Sequence, residues 1–279
     1  TKRNLEAMKH ILKQSSPQTF EDWKKNKQPK EWTRPPNAVL LKFLLEDQGH
    51  ICCYCGIRIF EDHKTIIEHL LPKDENKYPD KMYDYDNLLA SCNGDQKNII
   101  HICSKEDTWE SIQQKYHTTA EDLYRVNFSE QNNHKLNPYT DQLNEGIRVI
   151  VQKASNPKKL HCDAKKSNKE ISIYPKMGNC ESYFFYDYDG SVKAVDDSNQ
   201  DVIDTIEILG LNVEKLQKLR ARVINENVVG LDEYSIQDLT LLRQHFDSKD
   251  DEGRFTPFCQ VMVSLLEDEI KVRRATEKG

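Results

Sequence analysis

Cys52 and Cys55 flank two residues and precede Gly56 in the run "HICCYCGIRIF", and no other feature limits the fold of this chain as tightly. Two thiols on one tight turn, with a glycine that lets the backbone fold back, make half of a tetrahedral zinc site. Two further ligands are needed, and Cys92, Cys162, His161, His101, Cys103 and Cys53 are candidates by residue type. A buried thiol pair or a redox motif is the competing reading, and the redox motif lacks the βαβ surroundings it needs.

The expected compartment bears on that choice. No apolar run approaches the roughly 18 residues of a membrane span, and the opening "TKRNLEAMKHILK" has no signal-peptide core. A cytoplasmic protein with no membrane partner is expected, and in a reducing compartment a C-x-x-C more often holds metal than forms a structural disulfide. The 279 residues can hold one large domain or several small ones. A net charge of −6 argues against a surface coated in phosphate-binding charge. Locally, residues 153–176 carry seven lysines against Asp163 and Glu170, a stripe that suits either a nucleic-acid footprint or a solvated face.

Periodicity gives a coarse map. Leu5, Met8, Ile11 and Leu12 suggest a short amphipathic helix, followed by a polar, proline-rich linker and a second helix over "NAVLLKFLLEDQGH" capped by Asn37. Strands are expected at Arg58–Phe60 and Thr65–Leu71, and a helix at "DYDNLLASC". "ESYFFYDYDGSVKAV" reads as a hairpin bending at Asp189-Gly190. From residue 199 onward the pattern is helical, with Val213, Leu216, Leu219 and Val223 on one face, and then Phe258, Val261, Met262, Leu265 and Leu266 on another.

The run "IIEHLLPK" sets a carboxylate beside a histidine. On a strand, Glu68 and His69 would point to opposite faces, and a satisfied structural histidine is the ordinary reading of such a pair. In order, however, Cys52-x-x-Cys55, Glu68-His69, Pro72, Asn87-Leu88, Cys92 and Cys162-Asp163-x-Lys165 resemble the HNH endonucleases. The zinc-stapled ββα-metal variant of that family runs C-x-x-C, D/E-H-x-x-P, N-L and C-x-x-C-[HN]-x-x-K. Here the second cysteine pair is split between Cys92 and Cys162. Residues 101–127 resemble the opening of a LysM domain, at Asp107-Thr108-Trp109, Ser111-Ile112, Lys115-Tyr116, Thr119, Glu121-Asp122-Leu123 and Asn127. "LNEGIRVIV", residues 143–151, resembles its closing strand. Under that alignment Cys103 falls on the first LysM strand, which favours Cys162 as fourth zinc ligand. A narrower resemblance, at "SCNG", "HCDAKKSN", "ISIYP", "CESYFFYDYDGSV" and "IEILGLNVEKLQKLR", is to the HNH subunit of retron and Septu anti-phage systems.

These resemblances imply an α+β fold. A helical region over 1–50 leads into an HNH core at 51–98 and 154–198, interrupted by a LysM-like βααβ insertion at 99–153 and followed by helices over 199–279. They imply a structural zinc on Cys52, Cys55, Cys92 and Cys162, and a catalytic Mg²⁺ or Mn²⁺ on Glu68 and Asp163, with Asn168 as the alternative ligand. His69 would be the general base, since its ordinary pKa suits proton transfer near neutrality. Asn87 would position the His69 loop, and Lys165 and Lys166 would meet phosphates. The implied function is an endonuclease acting on nucleic acid, DNA rather than RNA, as a defence effector beside an ABC or SMC-like ATPase. The insertion would contact a further partner. Asp163 stands where the family has His or Asn, so a catalytically degenerate module that only binds nucleic acid or a partner is the alternative. A glycan-binding protein built on the LysM-like unit is the third reading.

Overall fold

The computed structural model of the chain describes residues 8–29, 32, 34–62, 65–74, 76–95, 97–116, 120–128, 136–153 and 157–277. They form two compact units, Thr1–Gly94 with His161–Gly279, and Asp95–Leu160. The architecture is mixed α+β, and the sheets among the described residues are small, two-stranded and antiparallel.

In the first unit, residues 8–17 are not helical, contrary to the expected amphipathic helix, whose first residues lie outside the described ones. Met8 and Ile11 are buried, yet the Ile11 N–H donates to Pro175 O at 2.8 Å instead of to its own turn. The segment is a strap. Its Lys13 ammonium lies 3.0 Å from Asp47 Oδ2 and 3.5 Å from the Tyr85 ring centre, and donates to Leu88 O at 3.1 Å. Tyr85 Oη donates to the same Asp47 oxygen at 2.7 Å.

The expected linker carries a helix, α1 (Gln18–Lys27), started by the Pro17 carbonyl and anchored by fully buried Phe20. Helix α2 (Leu41–Asp47) buries Leu41, Leu44 and Leu45. Asn37 does not cap it: Leu40 occupies the cap position, and the Asn37 side chain accepts from Arg34. No strand spans Arg58–Phe60; Arg58 makes a single bridge to Ile51.

Strand β1 (Thr65–His69) pairs with β2 (Leu88–Cys92), with Thr65 opposite Cys92 and His69 opposite Leu88. "DYDNLLASC" is therefore a 3₁₀ turn over Tyr85–Asn87 and then a strand, not a helix. All five residues of β2 are buried, so the segment has no polar stripe to face solvent, and a short apolar run of this kind is ambiguous between helix and strand until its neighbours decide.

In the second unit, β3 (Lys97–Ile102), α3 (Trp109–Tyr116), α4 (Ala120–Asn127) and β4 (Arg148–Lys153) follow in a β-α-α-β order, and β3 pairs antiparallel with β4. Buried Asn127 fastens α4 to β4: its Nδ2 donates to Ile150 O at 2.7 Å and its Oδ1 accepts the Ile150 N–H at 2.7 Å. Cys103, Trp109, Ile112, Leu123, Val149 and Val151 form this unit's core.

The chain returns to the first unit at His161, whose N–H donates to Gly94 O at 3.3 Å. Gly94 has φ +59°, and a Cβ there would lie 2.0 Å from His161 O, so only glycine lets the two segments approach this closely. Helix α5 (Cys162–Lys166) begins at once and packs on β2. Strands β5 (Phe184–Tyr186) and β6 (Val192–Ala194) form the expected hairpin. Helices α6 (Gln200–Leu209), α7 (Glu214–Asn227), α8 (Ile236–Phe246) and α9 (Cys259–Thr276) complete the unit, the last two packed together around Leu239, Met262, Leu266 and Ile270.

Because Lys13 and Asp47 are both buried, Lys13→Met should leave Asp47 with an uncompensated charge and cost on the order of 3 kcal/mol. Urea denaturation would show this as a lower midpoint with an unchanged slope.

Candidate functional site

The turn Cys52–Gly56 is drawn tight by the Gly56 N–H donating to Cys52 O at 3.1 Å and the Cys52 N–H donating to Ile57 O at 2.8 Å. Gly56 has φ +76°, and a Cβ there would strike the Gln260 side chain at 2.2 Å. The next two thiols arrive from the end of β2 and the start of α5. The sulfurs of Cys52, Cys55, Cys92 and Cys162 all lie within 4.8 Å of one another, with Cys52 to Cys162 at 3.8 Å and Cys55 to Cys92 at 3.9 Å. A tetrahedron with zinc–sulfur arms of about 2.3 Å has edges of about 3.8 Å. These four buried cysteines are thus arranged to hold a structural metal such as zinc. Among the described residues no other group of three or more His, Cys, Asp or Glu side chains is so placed.

The thiols do not titrate alike: burial, and then hydrogen bonding with Cys52, push Cys162 well above the ordinary thiol range, and Cys92 is raised as well. Against burial, hydrogen bonds from the neighbouring thiols, Cys162 first, hold Cys52 well below the ordinary thiol range. The Cys92 N–H also donates to its sulfur at 3.3 Å. Cys162 carries φ +52°, a left-handed backbone that a non-glycine residue adopts only under constraint. Two other candidate ligands lie elsewhere: Cys103 is in the core of the second unit, and His101 is bound to Tyr116 Oη at 2.9 Å and Asp107 at 3.2 Å.

Strand alternation sends Glu68 and His69 to opposite faces of β1. Glu68 is 3% exposed and enclosed by partners. Its Oε1 accepts from Tyr54 Oη at 2.9 Å and lies 2.8 Å from Lys166 Nζ. Burial, and then the Glu68 charge, push half-buried Asp163 well above the usual carboxylate range. The two carboxyl groups share a hydrogen bond. That bond, with Lys166 and Tyr54, keeps Glu68 below its ordinary value although burial opposes it.

Two expectations change here. Lys166 is not a phosphate-facing lysine: it is fully buried, and its ammonium bonds Glu68 and the His69 carbonyl oxygen, the latter at 2.9 Å. Glu68 and Asp163 do not form an open Mg²⁺ or Mn²⁺ site, because a dication at Glu68 would have to displace the buried Lys166 ammonium from its oxygen. The donors present do not fit that ion. Lys165 is half-buried on α5, and Asn168 is exposed beyond it.

His69 is 5% exposed. Its Nε2 lies 2.9 Å from Met82 O, and Trp32 meets the imidazole edge-on at 4.3 Å between ring centres. Burial, and then the Lys73 charge, lower its pKa to about 4, so the ring is neutral. A neutral ring facing a carbonyl through Nε2 carries its proton there, which leaves Nδ1 as the basic nitrogen. Asn87 fixes the chain around it: Oδ1 accepts the Leu71 N–H at 2.8 Å, and Nδ2 donates to Leu71 O at 3.1 Å and Lys81 O at 2.9 Å. Sequence reasoning missed Tyr54, Trp32 and Met82. Only Tyr54, inside the cysteine turn, stood next to a recognised motif.

Two outcomes follow. The His69 imidazole should titrate near pH 4 by NMR. A depressed folded-state value means that the unfolded state takes up the proton first as pH falls. Stability from His69 is therefore complete above about pH 6.5 and is lost progressively toward pH 4, on the order of 3 kcal/mol in all. Separately, Cys162→Ala should abolish retention of one zinc per chain and lower thermal stability, as read by metal analysis and calorimetry.

No protein-family model matches the chain, and no curated protein matches it significantly. A reading of its function rests on the geometry above and on the sequence patterns.

Proposed function

We propose that the chain is a phosphodiester-hydrolysing nuclease of the zinc-stapled HNH type, with His69 as general base. The observation that carries this reading is the juxtaposition of β1, β2 and α5 around one four-thiol centre, with a neutral histidine at the end of β1 whose tautomer is set by Met82 O. In the proposed step Nδ1 of His69 takes a proton from water as its oxygen bonds to phosphorus, the bond from phosphorus to the leaving oxygen breaks, and that oxygen takes a proton from solvent water to leave as a hydroxyl. A phosphate anion beside the ring raises its pKa from about 4 toward neutrality, where a base works best. Zinc on Cys52, Cys55, Cys92 and Cys162 would have a structural part only, since four thiolates leave no position for water.

DNA as substrate, a defence role beside an ABC-type ATPase, and a LysM-like identity for the second unit belong to the same proposal and are supported by the sequence resemblance. The β-α-α-β order of that unit agrees with the last of these. A binding-only protein is the second reading, favoured by the commitment of Glu68 and Asp163 to Lys166 and to each other.

The deciding experiment incubates the zinc-loaded protein with supercoiled plasmid, single-stranded DNA and RNA, each with Mg²⁺, with Mn²⁺ and with neither ion. Cleavage that falls by about 10²–10⁴-fold in His69→Ala, with zinc retained, supports the nuclease. Binding without cleavage under every condition supports the second reading.

A further inference from the structure

We infer that Lys166 is the resident cation of the Glu68 carboxylate and the positioning residue for His69, coupling the four-cysteine centre to the end of β1. The functional meaning of this inference rests on His69 being the base; its geometry does not.

Lys166 and Cys162 stand four residues apart on α5 and so share a helix face. Anchoring Cys162 in the thiol cluster delivers the Lys166 ammonium beneath β1. There it makes two bonds at once, 2.8 Å to Glu68 Oε1 and 2.9 Å to the carbonyl oxygen of His69. Glu68 is gripped from the other side by Tyr54, which lies between Cys52 and Cys55 in the cysteine turn. Both grips on this strand end thus originate in segments that supply the thiols. On the opposite face, the His69 ring is held by Met82 O and Trp32. The His69 peptide unit is fixed by Lys166, and its imidazole by Met82.

The same arrangement opposes a dication at Glu68. Lys166 is 0% exposed, so an ion that took Glu68 from it would leave a buried ammonium with a single carbonyl partner. Lys166 itself neutralises the carboxylate.

The test uses the zinc-loaded full chain labelled with ¹⁵N-histidine, and Mn²⁺ alone as the probe. At roughly 1 mM Mn²⁺ the His69 ring signals should keep their linewidths, because the ion has no ligand set at the neighbouring carboxylate. Severe broadening of His69 in the unaltered protein would overturn the resident-cation assignment. For the positioning role, Glu68→Met with Lys166→Met removes both charges while conserving volume, so it avoids the unpaired charge that either single change would leave. With the His69 peptide unit released, the ring loses its alignment on Met82 O, so this variant should retain zinc yet show a mixture of tautomers in its ¹⁵N shifts. An unchanged His69 spectrum with zinc retained would refute positioning by Lys166. Failure of the variant to retain zinc would also count against it, since the thiols are taken here as the anchor of the pair and not its dependants. Neither readout requires cleavage, so an inactive protein would sink the nuclease reading and leave this one standing.

Discussion

Four sulfurs within 4.8 Å of one another bind three otherwise independent segments, and the surrounding parts are too small to stand without them. Helix α5 is five residues long, well below the length at which an isolated helix persists. The β1–β2 pair is a two-stranded sheet, marginal by itself. The cysteine turn has little secondary structure beyond one bridge. A bound metal would supply what propensity does not, holding the end of β2 at Cys92, which stands opposite Thr65 in the β1–β2 register.

From this register the polar chemistry divides in two. The Glu68 face looks toward Tyr54, Lys166 and Asp163, where two carboxyl groups and one buried ammonium are bonded together. The His69 face meets Trp32 and Met82 and stays uncharged for a different reason, burial next to a lysine. Burying such a network does not by itself stabilise a fold, and removing one member is far worse than never having had it. Its use is specification: each side chain has one low-energy place.

Legibility in the sequence followed how local each signal was. The C-x-x-C-G turn, the aromatic hairpin bending at Asp189-Gly190 and the helices from residue 199 are written in short patterns, and the structure has a knuckle, a hairpin and helices there. "LLASC" misled because a strand buried on both sides shows no alternation, and residues 8–17 because Met8 and Ile11 bury their side chains against other segments without forming a turn of their own. Lys166 looked like a surface cation in a basic stripe. Only the fold discloses that Cys162, four residues earlier, draws it inward to a carboxylate nearly a hundred positions away. The closed state of Glu68 was invisible for the same reason, since its partners come from two separate stretches, the cysteine turn and α5.

The 3.3 Å bond from His161 to Gly94 has a kinetic consequence. The third and fourth thiols are separated by the whole of Asp95–Leu160, and closing so long a flexible loop would cost roughly 2–3 kcal/mol more than closing a tight turn. If Asp95–Leu160 collapses first, its two ends come together and the chain between Cys92 and Cys162 behaves as a short connection. Assembly of the thiol centre would then wait on the folding of the segment that interrupts it, and newly made protein would capture its metal late.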